Sequence, residues 1–309
     1  MTASNGWVAG RTEACRLAST LIGMGVSERR IPELPERFPT LREACDAAAE
    51  DVVSMPYDEF LVLLSGGADS TLAAAAISRP AAKSGKRVVY AVTASGLADL
   101  DPRTLRWLLD AEGAEVRHFC GESLDAYSGG LVITGVLGDE LYCGWLGSIE
   151  SHHPTLGDDV WRMTPGQLIS LLTGLNDSPA LCEKYMPVFA GMPYSFTAPN
   201  MLHWLAFKYL WDRERHTFTA GTALGLPGDR HIHFFEHLAI QHWMMQEMEV
   251  RCGKLFSNRK NAGIELIREY VGCEVAVPQK NLLISEIASH PPTLYGVYRI
   301  DPDGTVHRR

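Results

Sequence analysis

The most informative stretch of the sequence is Phe60-Leu61-Val62-Leu63-Leu64-Ser65-Gly66-Gly67-Ala68-Asp69-Ser70. It begins with a continuous apolar run, which is typical of a parallel β-strand buried on both faces. A turn with two adjacent glycines follows, and the residues from Thr71 to Ser78 are rich in helix formers. A buried strand, a glycine turn and a helix in this order predict the first half of a βαβ unit.

Strand and helix patterns alternate on both sides of this stretch. A helix is predicted to begin at Leu41 with Thr40 as its N-cap, and further strands are predicted at 88–94, 114–119 and 131–136. This alternation predicts an α/β fold with a doubly wound parallel sheet of about five strands within residues 40–150. Ligands bind such sheets at the carboxyl ends of the strands.

Helical periodicity dominates the second half of the chain. Apolar residues recur at helical spacing in the segments 165–175, 198–216 and 234–253. We therefore predict a mainly helical C-terminal half, residues 151–309. Residues 1–39 are predicted to be an N-terminal appendage, because prolines interrupt any helix near its end.

Composition and charge exclude several classes of protein. The chain has 309 residues with 46% hydrophobic and 21% charged residues, which is ordinary for a globular protein. Its net charge of -9 disfavours a nucleic-acid partner, since an acidic surface repels phosphate backbones. Its seven cysteines form no CxxC pair, so neither a disulfide framework nor a zinc knuckle is predicted.

Because no apolar run approaches the roughly 20 residues of a membrane span, a cytoplasmic protein without a membrane partner is expected.

The SGGADS turn has the chemistry of a phosphate site. Gly66 and Gly67 let the backbone approach an anion, so that N–H groups of the turn and of the helix N-terminus can face phosphate oxygens. The hydroxyls of Ser65 and Ser70 would add donors. Asp69 would repel a bare pyrophosphate, so its expected role is to hold a Mg²⁺ ion that neutralises the phosphates. No lysine follows the turn, which excludes the GxxxxGK[ST] loop.

Two motifs together resemble a known family. SGGADS after FLVLL resembles the PP-loop of the ATP pyrophosphatases, and residues 134–145, TGVLGDELYCGW, resemble the SGEGGDELFGGY segment of asparagine synthetase and β-lactam synthetase. The segments LREACDAAAEDV and VPQKNLL also resemble parts of that synthetase domain, so the similarity extends over residues 40–285. The resemblance implies a HUP-like sheet, with residues 40–150 as an ATP-binding core and residues 151–309 as the substrate-binding region of the same synthetase domain.

The resemblance implies a set of nucleotide-binding residues. Leu63 and Val92 would contact the adenosine, and Thr134 and Gly135 would close on the ribose and the α-phosphate. The pyrophosphate would lie against the turn residues Ser65, Gly66, Gly67, Asp69 and Ser70.

The same resemblance implies the catalytic and metal-binding residues. Asp69 and Asp139 would hold Mg²⁺ on the pyrophosphate, and Lys280 would match the family lysine that stabilises charge on the adenylate. The reaction implied is ATP-dependent amide formation, in which a carboxylate is activated as an acyl-adenylate, pyrophosphate leaves and an amine displaces AMP. ATP and Mg²⁺ are the expected cofactors.

The sequence also departs from this family. Residue 2 is threonine and the PP-loop comes early, so no glutaminase domain is expected, and the nucleophile would be free ammonia, a substrate amine or ammonia from a separate subunit. Val136 stands where asparagine synthetase has a glutamate, and valine cannot accept a proton. This residue keeps open a regulator that binds nucleotide without turnover. An enzyme that adenylates a nucleobase or tRNA carbonyl, and a structural partner of a larger complex, also stay open.

A histidine-rich segment and a cluster of basic residues each have two interpretations. The segment 231–242, HIHFFEHLAIQH, could hold zinc, but a position near the substrate is favoured, where His233 and Glu236 would contact substrate together with Val136. The basic residues Lys254, Arg259 and Lys260 could assist pyrophosphate release, but a solvated helix face is the favoured interpretation.

Overall fold

The structure is a computed structural model that describes residues 12–22, 26, 28–92, 100, 102–110, 114–118, 127, 129–142, 157–212, 230–253, 260–272, 298–300 and 306–308. The chain divides into two compact units, and each is discontinuous in sequence. The first unit comprises Met1–Phe38, Asp139–Thr217 and Met244–Arg259. The second comprises Pro39–Gly138, Phe218–Trp243 and Lys260–Arg309.

The second unit contains a parallel sheet. Its strands are β1 (Glu59–Leu64), β2 (Arg87–Val92), β3 (Ala114–His118), β4 (Leu131–Thr134) and β5 (His231–His233). They lie in the order β3-β2-β1-β4-β5, and every pairing is parallel. The predicted α/β fold with a five-stranded, doubly wound sheet is therefore confirmed. A separate antiparallel pair joins β6 (Tyr298–Ile300) and β7 (Val306–Arg308).

The central strand explains why the apolar runs form a sheet. In β1, Phe60 and Val62 are fully buried, and Val62 pairs with Tyr90 of β2 on one side and with Ile133 of β4 on the other. A strand paired on both edges and covered on both faces tolerates apolar residues at successive positions, which is the pattern of FLVLL. The position of the fifth strand was not predicted, since this strand has only three residues and two of them are histidines.

Helices account for most of the remaining described residues. The α-helices are α1 (Glu13–Ile22), α2 (Leu41–Ser54), α3 (Ala68–Lys83), α4 (Pro102–Leu109), α5 (Pro165–Thr173), α6 (Pro179–Tyr185), α7 (Ala198–Leu205), α8 (Leu238–Met244), α9 (Met248–Cys252) and α10 (Asn261–Val271). Short 3-10 helices cover Asp139–Tyr142, Gly157–Arg162, Met186–Phe189 and Phe234–Glu236, and a π-helical turn, Ala206–Leu210, continues α7. The mainly helical C-terminal half is confirmed.

Helices α2, α3 and α10 of the second unit pack against one another, and α3 also contacts β1 and β2. Thr40 caps α2 as predicted: its side chain accepts the Glu43 N–H at 3.2 Å, and the Glu43 carboxylate accepts the Thr40 N–H at 2.7 Å. This reciprocal capping box satisfies two N–H groups that the helix itself cannot. It fixes the first residue of the helix that leads into the sheet.

The first unit is built around buried aromatic residues of α7 and its π-helical extension. Trp204 Nε1 and the Tyr209 hydroxyl both donate to the Val188 carbonyl, at 3.1 and 3.0 Å. The N-terminal residues join this unit, since α1 buries Leu21 and the Arg29 guanidinium lies 4.7 Å from the ring centroid of Phe207 and 4.7 Å from that of Trp211. The segment predicted to be an appendage thus contributes to the packing of the first unit.

Candidate functional site

The turn between β1 and α3 has the conformation that its glycines predict. Gly66 has a φ of 77°, in the left-handed region that glycine enters without steric cost. Gly67 is the N-cap of α3 and, having no side chain, offers no side-chain cap to the first N–H groups of that helix. Uncapped N–H groups at the start of a long helix can bind an anion.

Two serines hold this turn together. The Ser70 hydroxyl donates to the Gly67 carbonyl at 3.2 Å and accepts the Ser65 N–H at 3.1 Å. The two serine hydroxyls lie 3.0 Å apart, and either hydroxyl can be the donor between them. Ser70 is buried and Ser65 is exposed. Ser70 therefore shapes the turn from within, whereas Ser65 lies on its accessible side.

The loop after β4 makes a second tight turn. The Gly138 N–H donates to the Gly135 carbonyl at 3.2 Å, with Val136 and Leu137 between them. Leu137 has a φ of 72° and is the one non-glycine residue with positive φ among those that the structure describes. A branched side chain in this region costs of the order of 1 kcal/mol. Leu137 therefore adopts a backbone conformation that glycine would adopt without steric cost.

These two turns lie against each other. A Cβ on Gly135 would be 2.6 Å from the Cα and 2.7 Å from the N of Ser70, and one on Gly138 would clash with the Asp69 side chain and Phe235. Glycine is therefore required at both positions for the β4 loop to approach the start of α3. Because β1 and β4 are neighbours at the point where the strand order reverses, the turns flank the position where open α/β sheets bind ligands.

Asp69 forms an ion pair that the sequence did not predict. Lys260, the N-cap residue of α10, places Nζ 2.9 Å from Oδ2 of Asp69, and their side chains are 10% and 16% exposed. The favoured interpretation of Lys260 as part of a solvated face is therefore wrong, since its burial shields the ammonium from water. Lys254 and Arg259 lie outside the described residues.

His233 ends β5 and reaches the neighbouring strand. Its Nδ1 lies 2.6 Å from Oγ1 of Thr134, which also accepts the Val136 N–H at 3.3 Å. His233 and Thr134 are both buried, and the His231 ring lies 5.4 Å from the His233 ring. Thr134 thus links the end of β5 to the turn that contains Val136.

The other predicted residues of the second unit lie on or beside the sheet. Leu63 is partly buried and is in register with Thr134, whereas Val92 is fully buried at the end of β2. Val136 is partly exposed in its turn. Glu236 ends a 3-10 helix, and its carbonyl accepts a hydrogen bond from the Gln241 side chain at 2.5 Å.

Asp139 belongs to the first unit, where it begins a 3-10 helix and is exposed. The buried Arg251 of α9 donates to the Leu141 carbonyl of that helix and, through Nε, to the Gln246 carbonyl at 3.1 Å. The bond to Leu141 attaches the 3-10 helix to α9. Lys280 lies outside the described residues.

The described side chains suit a Mg²⁺ site completed by phosphate and water better than a metal site made of protein ligands alone. Within the ranges that the structure describes, no group of three or more His, Cys, Asp or Glu side chains could hold a metal ion. His237 instead pairs with Asp51 at 2.9 Å and accepts the Ala239 N–H at 3.2 Å, so it caps α8. Mg²⁺ at phosphate sites needs only one or two carboxylates, the phosphates and water supplying the rest, and Asp69 beside the glycine turn fits that chemistry.

Sequence reasoning did not predict the ion pair of Lys260 with Asp69 or the backbone conformation of Leu137. A lysine at the start of a helix is typical of a surface, and nothing local shows that it faces Asp69, 191 positions away. For Leu137 a signal existed, since the aligned motif has glycine there and so indicates a special backbone conformation.

Comparison with protein-family models finds no match for this chain, and comparison with curated proteins finds none either. The search for membrane spans, made over the described residues, finds no helix that is long and apolar enough to cross a bilayer.

Proposed function

We propose that the chain is an ATP-dependent carboxylate–amine ligase that forms an amide through an acyl-adenylate, as asparagine synthetase-like enzymes do. The main support is that the two resembling motifs, SGGADS and TGVLG, form adjacent turns at the strand-order reversal of a parallel sheet. Distant segments that meet at the ligand-binding position of this fold are better support than either motif alone.

In this proposal the turn between β1 and α3 receives the pyrophosphate of ATP. N–H groups at the start of α3 and the Ser65 hydroxyl would donate to its oxygens, while Ser70 keeps the turn in shape. Asp69 would hold Mg²⁺, which would neutralise phosphate charge when it is bound. Leu63 and Val92 would contact the adenosine, and Thr134 and Gly135 the ribose and α-phosphate.

The reaction would proceed in two steps. A carboxylate oxygen attacks the α-phosphorus, the bond to the bridging oxygen breaks and pyrophosphate leaves with the electron pair. An amine nitrogen then attacks the acyl carbon, the carbon–oxygen bond breaks, AMP leaves with the electron pair, and the nitrogen loses a proton to water. Positive groups at the pyrophosphate, including Lys260 and the proposed Lys280, stabilise the charge that develops in the first step.

The apolar side chain of Val136 bears on the choice of amine. Val136 cannot accept a proton, and its side chain would contact an apolar part of a substrate instead. His233 and Glu236 are the polar groups proposed to contact substrate. Free ammonia, a substrate amine and ammonia from a separate subunit are all compatible nucleophiles.

The test is pyrophosphate release from ATP and Mg²⁺ with panels of carboxylates and amines. Wild type should release pyrophosphate with one class of carboxylate, and Asp69→Asn should lower the rate by about 100-fold or more, as for loss of an electrostatic catalytic group. Asp110→Asn, an exposed aspartate after α4, should retain the wild-type rate.

Val136 favours one second candidate, a regulator that binds nucleotide without turnover. ATP binding that depends on Asp69, together with an absence of pyrophosphate under every condition, would support that candidate and reject the ligase. Release that depends on a nucleobase or tRNA instead of a carboxylate would assign adenylation of a carbonyl.

A further inference from the structure

The Asp69–Lys260 ion pair occupies a carboxylate that the proposed function assigns to a metal ion. Nζ of Lys260 is 2.9 Å from Oδ2 of Asp69, and both side chains are largely shielded from water. Opposite charges interact more strongly in such an environment than at a surface. A divalent ion must therefore compete with a well-placed ammonium for this oxygen.

Lysine and metal cannot share the oxygen without cost. Mg²⁺ binds carboxylate oxygens at about 2.0–2.1 Å, so a cation held on the same oxygen would lie close enough to repel it. Displacing the ammonium alone would leave a positive charge in a buried position without its carboxylate, which is also unfavourable. A ligand that carries both a metal and negative oxygens removes both costs at once.

We propose that Lys260 and a divalent metal ion exchange at Asp69 when a nucleoside triphosphate binds. In the free protein the lysine neutralises Asp69. When the metal–nucleotide complex enters, the metal takes the carboxylate and the lysine turns to the terminal phosphates. This inference rests on the nucleotide site of the proposed function.

The position of Lys260 suits such an exchange. Its backbone is held at the start of α10, which packs on α2 and α3, so the anchor of the side chain is fixed. Four flexible carbon atoms let the ammonium move by a few ångströms without any change in the helix. The start of α3, where the N-cap Gly67 makes no side-chain cap, is within the same turn as Asp69.

The experiment measures Mn²⁺ binding to the full chain by electron paramagnetic resonance, with and without α,β-methylene-ATP, which cannot be cleaved to pyrophosphate. Without nucleotide, Lys260→Met should bind Mn²⁺ more tightly than wild type by about tenfold or more, within the usual range of coupling between ligands. With nucleotide, the same variant should bind the complex more weakly than wild type. Lys83→Met, an exposed lysine of α3, should match wild type in both measurements.

Equal Mn²⁺ affinity of wild type and Lys260→Met without nucleotide, in proteins that do bind the nucleotide complex, overturns the exchange and leaves the ligase proposal intact. Absence of nucleotide binding in every protein overturns the proposed function and the exchange with it. If Lys260→Met does not fold, wild type still decides: Mn²⁺ affinity that does not change on addition of the nucleotide contradicts the exchange.

Discussion

Gly67 allows phosphate binding to be tested separately from folding. Its φ of -74° is accessible to any residue, and a Cβ there would meet only the Ser65 hydroxyl oxygen, at 3.6 Å. Gly67→Ala should therefore change the free energy of unfolding by no more than about 1 kcal/mol. The methyl group would narrow the approach to the N–H groups of α3, so affinity for MgATP, measured by calorimetry, should fall by about tenfold or more.

Gly135→Ala is the matched variant with the opposite expectation. Its Cβ would lie 2.6 Å from the backbone of Ser70, so one of the two turns must move. Forcing atoms into such a contact costs about 1–3 kcal/mol, which urea unfolding will measure.

Wild-type affinity for MgATP in Gly67→Ala would show that the turn does not receive phosphate.

At the scale of elements, α9 and the 3-10 helix Asp139–Tyr142 are joined through one buried side chain. Arg251 is 4% exposed and donates to the carbonyls of Leu141 and Gln246. Arg251→Met retains much of the apolar volume but leaves both carbonyls without this donor. An unsatisfied buried group costs about 1–3 kcal/mol, so we expect a loss of about 2–4 kcal/mol in urea unfolding.

Arg162→Met is the control for this substitution. Arg162 lies in another 3-10 helix of the same unit, and its side chain is 87% exposed beside Asp159. Exposed ion pairs contribute little, so the loss should stay within about 0.5 kcal/mol. If both variants lose the same small amount, Arg251 does not attach the helix that contains Asp139.

For the whole molecule, the sequence predicted those parts of the fold whose determinants are local. The apolar run of β1, its glycine turn and the Thr40 N-cap of α2 are encoded by neighbouring residues, and each has the predicted form. Parallel strands buried on both faces leave a recognisable run of apolar residues. The strand order then follows from few alternatives, because connections in such sheets are restricted.

The remaining features depend on contacts between distant residues. Strand β5 has three residues and no apolar run, and it forms because its backbone pairs with β4 nearly 100 positions earlier. The burial of Lys260 depends likewise on Asp69, and both compact units are assembled from separate stretches of the chain. No local pattern encodes such pairings. The sequence therefore predicted the glycine turn of the candidate site but not the ion pair of Lys260 with Asp69.

The free energy of unfolding should depend on pH through one fully buried histidine, His203. Nε2 of His203 lies 3.0 Å from the Met244 carbonyl, which can only accept, so Nε2 carries the proton. Among the described residues Nδ1 has no hydrogen-bond partner. Burial, and secondarily the charge of Arg251, lowers the pKa of His203 well below its usual range. Protonation would place a charge and an unpaired donor in an apolar interior.

The folded pKa of His203 lies below the unfolded value of about 6.5, so the unfolded chain takes up the proton first. Stability from the neutral ring is therefore complete above about pH 6.5 and is lost as the pH falls from there towards the folded pKa, by at most about 1.4 kcal/mol per pH unit. Urea unfolding at pH 7.5 and 5.5 measures this loss. His203→Gln keeps an N–H for Met244 but cannot titrate, so the wild type should lose more stability than the variant over this interval. An equal loss in both proteins would mean that His203 becomes protonated in the folded state as readily as in the unfolded one.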